Sequence, residues 1–285
     1  MPLPRFLLPT ASLLASTGLV LAEGEPVGDD VIAAQRAALA AETAGKGYGP
    51  QAPRDLNTLT GDNARAFEAA PAYTEMNLCN IHFHEGAEHS GGEFTTYIGN
   101  GDGTGYGTGF AYDGALTEAE LTPVDYPVGP SNGKGALAPG DTIEVHYVHT
   151  TAQIDPGPTL GSCLSEAIIN PQLRVETQVF VLVNDDSAAD FMELSEVGLV
   201  NGYHQALNIP SDTGTPITYD GSTTGPDYNE KGSPIQVSWS VRPQVQKLYI
   251  GSVAEWMRAN IFDERKAHGV RNLVKNPDLI SDIDG

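Results

Sequence analysis

At 285 residues the chain is long enough for one well-buried domain of about 200 residues plus extensions. Its 37 acidic and 15 basic residues give a formal net charge of −22, which repels phosphate backbones and anionic lipid and excludes nucleic acid and membrane surfaces as partners. The acidity favours solubility and says nothing about chemistry.

The first element along the chain reads as an export signal. Arg5 supplies a positive start, Phe6 to Leu21 is almost wholly apolar or small, and Val20-Leu21-Ala22 ends in the small residues a signal peptidase reads. Pro9, Thr10, Ser12, Ser16 and Thr17 interrupt the run, which weakens it as a membrane span. Cleavage after Ala22 and a periplasmic or secreted location are therefore expected. Such compartments are oxidising, so the only two cysteines, Cys79 and Cys163, are expected to form one disulfide.

Residues 23–54 read as an acidic, Ala- and Gly-rich leader. It holds a helix over 31–43, with Asp29 and Asp30 as caps and a Gly-rich break from Gly45 to Pro50. The apolar face of that helix is mostly alanine, so weak docking is expected. Residues 55–285 have a different texture and are expected to form the second unit, a single domain. Strands are expected over 78–84, 141–149, 175–183 and 235–241, with 175–183 as the central one. Ser187 to Asp190 opens a short helix, and Ser252-Val-Ala-Glu255 has capping-box spacing before Trp256, Met257 and Ile261. The fold class is mostly β (α+β), built on a mainly antiparallel sheet with a few short peripheral helices.

The histidines are unevenly spread, with His82, His84 and His89 in one cluster and His146 and His149 in another. Residues two apart on a strand share a face, so Asn80, His82 and His84 project together. A third imidazole from a neighbouring strand would complete the three-ligand set of catalytic zinc, which keeps its fourth position open. The second strand offers His146 or His149. Parity favours His146, because Glu144 lies on its face and can accept its remaining N–H; Asn80 can do the same for His82.

The run Asn80-Ile-His82-Phe-His84-Glu-Gly-Ala-Glu88-His89, followed by Ile143-Glu144-Val-His146-Tyr-Val-His149, resembles the metal strands of carbonic anhydrases. The closer similarity is to the delta class, in Cys79 to His89, Gly92-Glu93-Phe94, Val237 to Pro243, Asn260 to Glu264 and Ala267 to Asn272. The resemblance implies Zn2+ on His82, His84 and His146, and reversible hydration of CO2 to bicarbonate and a proton by a metal-bound hydroxide. It implies that Glu144 accepts from a ligand, that Glu88 orients the group holding the hydroxide, and that His89 and His149 are structural. The alpha class places a Thr before Pro-Pro at the hydroxide-holding position. Here the counterpart is Asn170-Pro171, so that donor is unassigned. His204 and His268 are the candidates by type for passing the proton to buffer.

Two other readings compete. His82-x-His84-x3-Glu88 has the spacing of a cupin-type metal oxygenase, although Met76 and Thr95 stand where that motif requires glycine. An inactive carbonic-anhydrase-like binding module would be expected to lack a ligand histidine. It would also need aromatic platforms, and the only tryptophans are Trp239 and Trp256.

Overall fold

The computed structural model describes residues 25–45, 54–63, 68–131, 133–224, 232–275, 279–280 and 282–283. The expected signal over 1–22 and the Gly-rich break after Gly45 lie outside these. Ten strands are described: β1 (Asn77–Glu85), β2 (Thr96–Asn100), β3 (Thr108–Ala111), β4 (Thr142–Thr150), β5 (Leu173–Val183), β6 (Val197–Val200), β7 (Tyr203–Ala206), β8 (Ile217–Thr224), β9 (Gly232–Val241) and β10 (Gln246–Tyr249). The helices are α1 (Asp29–Thr43), α2 (Phe191–Leu194) and α3 (Ile250–Arg258). Among the described residues no helix is long and apolar enough to cross a membrane.

The main sheet has six strands in the order β1-β4-β5-β9-β8, with β10 also on β5. As expected, β5 is central. One edge pairs with β4 antiparallel, and the other is shared between β9 and β10, both parallel. Adding the antiparallel β1–β4 and β8–β9 pairs leaves a mainly antiparallel, mixed sheet.

Strand alternation gives the sheet two apolar faces. On one, Ile81, Phe83, Ile143, Val145, Tyr147, Phe180 and Leu182 pack under Phe191, Val253 and Trp256 of α2 and α3. The other carries Val148, Val175, Val179, Tyr219, Trp239 and Val241, and the histidines discussed below open onto this face. A bulge in β1 between Leu78 and Asn80 leaves Cys79 without a partner in the register. Cys79 is disulfide-bonded to Cys163, as the cysteine count suggested.

The helix ends differ from those read in the sequence. Asp190 is the N-cap of α2, its side chain accepting from Met192 N–H at 2.7 Å, while Ser187 donates to Asp185 instead. Helix α3 begins at Ile250, ahead of the capping-box residues. Ser252 therefore lies inside the first turn, donating to Tyr249 O at 2.7 Å and accepting from Phe191 N–H at 2.9 Å. The cause is burial of Ile250, which draws the chain straight from β10 into the helix. Past the helix end, Ile261 is exposed and not part of the core.

Helix α1 docks more closely than its alanine face suggests. Leu39 packs with Val274, Leu279 and Ile280 of the C-terminal tail. Gln35 donates to Gly103 O at 2.8 Å, Asn272 donates to Gln35 at 2.6 Å, and Val27 N–H donates to Gly101 O at 2.9 Å. Asp29 and Asp30 lie in the first turn, with Gly28 at the cap.

Candidate metal centre

The β1–β4 register sets His82 opposite His146 and His84 opposite Glu144. Facing residues of an antiparallel pair point to the same side, so three imidazoles meet on one face. Their ring centroids are 5.3 Å (His82–His84), 5.1 Å (His82–His146) and 4.8 Å (His84–His146) apart.

Each ring is fixed by an oxygen acceptor. His82 Nδ1 bonds Asn80 Oδ1 at 2.6 Å, His84 Nδ1 bonds Gly269 O at 3.0 Å, and His146 Nε2 bonds Glu144 Oε1 at 2.7 Å. A carbonyl or carboxylate oxygen can only accept, so these nitrogens carry the protons. The lone pairs are left on His82 Nε2, His84 Nε2 and His146 Nδ1. One ligand atom from each residue can be chosen so that all lie within 4.8 Å of one another.

Burial holds His82 well below the ordinary imidazole range, His84 at about 4, and His146 lowered. The rings are therefore neutral, as metal ligation requires. Three neutral nitrogen donors facing one point, with their other nitrogens tied down, is the donor set that zinc takes in catalytic sites. The residues fit the metal.

Behind the three histidines runs a hydrogen-bonded chain. Glu144 accepts from His146 and from both the ring (2.8 Å) and the backbone N–H (3.0 Å) of His89. Burial opposes ionisation of Glu144, yet His89 and His146 hold it well below the usual carboxylate range. His89 continues to Tyr219 OH at 2.7 Å. The Tyr219 ring stacks on Trp239 and lies under the buried guanidinium of Arg54, 5.1 Å away. Burial raises the Tyr219 hydroxyl well above its ordinary range.

Glu88 is buried beside the same group. Its Oε1 lies 3.3 Å from His84 Nδ1 and accepts Arg271 N–H at 3.2 Å, and burial pushes its carboxyl up. Glu88, Glu144 and His146 also qualify by distance as a second donor set.

The remaining histidines separate clearly. His149 is fully buried on the opposite face of β4, its Nδ1 donating to Tyr147 O at 3.0 Å and its ring 5.4 Å from Tyr73. His204 bonds Asp155 at 3.1 Å and does not line the histidine pocket. His268 does line it, with its ring 5.3 Å from His82, its Nε2 2.7 Å from Glu264 and a side chain 44% exposed.

The pocket is a cavity of about 210 Å³ whose apolar wall is Val148, Leu160, Val175 and Trp239. That wall was not evident in the sequence, because it is a product of pairing: Val148 faces Val175 across β4–β5, and Val175 faces Trp239 across β5–β9. Asn170 and Pro171 do not line the pocket, whereas Thr159 contributes a hydroxyl residue to it.

A family model described as delta carbonic anhydrase matches residues 73–252. Two solved structures are similar at low identity. The alpha-carbonic anhydrase from Thermovibrio ammonificans in complex with the inhibitor sulfanilamide is 15% identical, over 81% of this chain and 85% of that one, with a TM-score of 0.28. The Photobacterium profundum alpha-carbonic anhydrase is 17% identical, over 81% of this chain and 88% of that one, with a TM-score of 0.26. No curated protein matches the chain.

Proposed function

The chain belongs to the delta carbonic anhydrase family, and from that premise we propose that it hydrates CO2 reversibly to bicarbonate and a proton, using zinc held by His82, His84 and His146. The observation that carries the ligand assignment is the convergence of three lone pairs whose rings are each fixed by an acceptor behind them. When bound, zinc supplies Lewis-acid activation of water near neutral pH.

The protein's own residues do the rest. Asn80, Gly269 and Glu144 keep each ligand in the tautomer that presents its free nitrogen. Ionised Glu144 also makes His146 a stronger donor. Val148, Leu160, Val175 and Trp239 give an apolar substrate a dry surface beside the ligand nitrogens. Glu88, within reach of His84, orients polar groups at the floor of the pocket. His268 reaches both pocket and solvent, and its pairing with Glu264 suits it to accept the released proton.

Residues 1–22 are the export signal and 55–285 the catalytic domain in this reading, with 23–54 as a leader. The Cys79–Cys163 disulfide supports an exported, periplasmic or secreted destination. The deciding experiment measures zinc per chain and the initial CO2 hydration rate on the same purified sample. One zinc per chain with hydration lost on chelation and regained on zinc addition is expected. A folded, active protein that takes up no zinc would reject the metal assignment.

A further inference from the structure

Asn80 uses its two amide ends for different partners. Its Oδ1 accepts from His82 Nδ1 at 2.6 Å, and its Nδ2 donates to Gly157 O at 3.1 Å. Gly157 N–H returns to the strand, donating to Cys79 O at 3.0 Å. Further along that loop Cys163 is bonded to Cys79, and its carbonyl accepts from Thr150 Oγ1 at 2.7 Å. Between these anchors lie Thr159 and Leu160, both lining the pocket. Thr159 has φ 59, a region that residues other than glycine seldom occupy, so its neighbours must hold it there. Asn80 is only 1% exposed, so losing either partner leaves a buried amide group unsatisfied.

We propose that Asn80 is a positioning residue that locks the metal ligand His82 to the Gly157–Cys163 wall of the pocket, with the Cys79–Cys163 bridge holding the far end of the lock. The proposal rests on the zinc reading above. The bond to Gly157 fixes the plane of the carboxamide and thereby keeps Oδ1 aimed at His82. Cutting that bond lets the carboxamide turn, and cutting the bridge lets the wall carry Gly157 away. Both routes loosen the same ligand.

Asn80→Asp separates the two ends, because it keeps an oxygen for His82 and removes the donor to Gly157. Zinc-loaded full chain is challenged with excess chelator as wild type, Asn80→Asp, Cys79→Ala/Cys163→Ala, and the combination. Faster zinc release is expected in Asn80→Asp, because the new carboxylate oxygen faces Gly157 O, which can only accept, and this repulsion pushes the side chain off His82 against the stronger acceptance a carboxylate would otherwise give. The combined variant should be no faster than the faster of its two parents, since both changes interrupt one path. In metal-free protein, hydrogen exchange at the Gly157 amide should accelerate in Asn80→Asp while β5 keeps its protection, a local change that a general loss of stability does not produce.

Wild-type release together with wild-type Gly157 protection in Asn80→Asp overturns the proposal, as do effects of the two changes that simply multiply. If the cysteine variant does not fold, the Asn80→Asp arm decides alone. If wild type takes up no zinc, the zinc reading fails, while Gly157 exchange still decides whether Asn80 holds the wall.

Discussion

His82 Nε2 and His146 Nδ1 lie 3.3 Å apart across the β1–β4 pair, and their partners leave neither nitrogen a proton to offer the other. Two lone pairs held face to face in a buried site repel, and a cation between them turns that repulsion into coordination. The arrangement therefore makes sense around a metal and is costly without one.

Replacing His82, His84 or His146 with Ala should empty the site and abolish CO2 hydration, because two protein donors remain. His149→Ala should lower stability yet keep near one zinc per folded chain. Glu144→Gln should lower zinc affinity or activity by about 10–100-fold. Glu88→Gln should retain zinc with impaired hydration; weakened metal binding in that variant would instead mark Glu88 as a ligand, as the oxygenase reading requires. Metal stoichiometry and initial rates on each folded variant check all of these. Retention of zinc by His146→Ala with loss in His149→Ala would reverse the parity argument.

The apolar wall can be tested apart from the metal. Val175→Phe puts a ring into the cavity beside Val148 and Trp239. Hydration should fall by up to about 100-fold, with zinc content unchanged and stability lower by about 1–3 kcal/mol from overpacking. An unaltered hydration rate would move the CO2 site elsewhere.

Asp141 predicts an unusual pH dependence. Asp141 is half-buried, and desolvation pushes its carboxyl up to about 6 from an ordinary 3.8, against one compensating hydrogen bond from Ala138 N–H. Between those values the folded state binds more protons than the unfolded chain, so this residue's contribution to stability falls as pH rises through the window. Denaturant unfolding of wild type and Asp141→Asn at several pH values should show the difference between them growing from pH 4 to 6 in favour of the variant. A constant difference would reject the shift.

The leader offers a boundary experiment. Removing residues 23–50 breaks the α1 contacts with Gly103, Asn272 and the tail. Some thermal stability should be lost, while zinc content and hydration stay near the mature values. Arg54 is different, since it is fully buried over Tyr219. Arg54→Met should cost on the order of 2 kcal/mol, measured by chemical denaturation. Loss of zinc on removal of residues 23–50 would show that the leader belongs to the catalytic unit.

Much of this arrangement was legible in the sequence because the site is written in strand parity. His-x-His two residues apart, with Glu144 and His146 in phase on the second strand, already specifies faces, and β4 needs only to pair with β1 to complete the set. What could not be read depends on distant segments. Gly269 as the acceptor of His84, Arg54 over Tyr219 and His268 at the pocket mouth all come from parts of the chain that local pattern does not connect. The start of α3 departs from the local pattern for a related reason: burial of Ile250 outweighs a good capping sequence.

The bulge in β1 has a topological consequence. A regularly alternating strand sends neighbouring residues to opposite faces, so it cannot aim two consecutive side chains at one side. The extra residue at Cys79 suspends that rule once, and Cys79 joins the apolar cluster on the face where Asn80 meets His82. It also makes the two ends of the strand independent in phase. Deleting Cys79 would restore alternation without disturbing the pairing of His82 and His84 with β4, but it would remove the covalent tether. A one-residue deletion between Asn80 and His82 would turn Asn80 away from the imidazole it holds. Length changes should therefore be tolerated very differently on the two sides of this position.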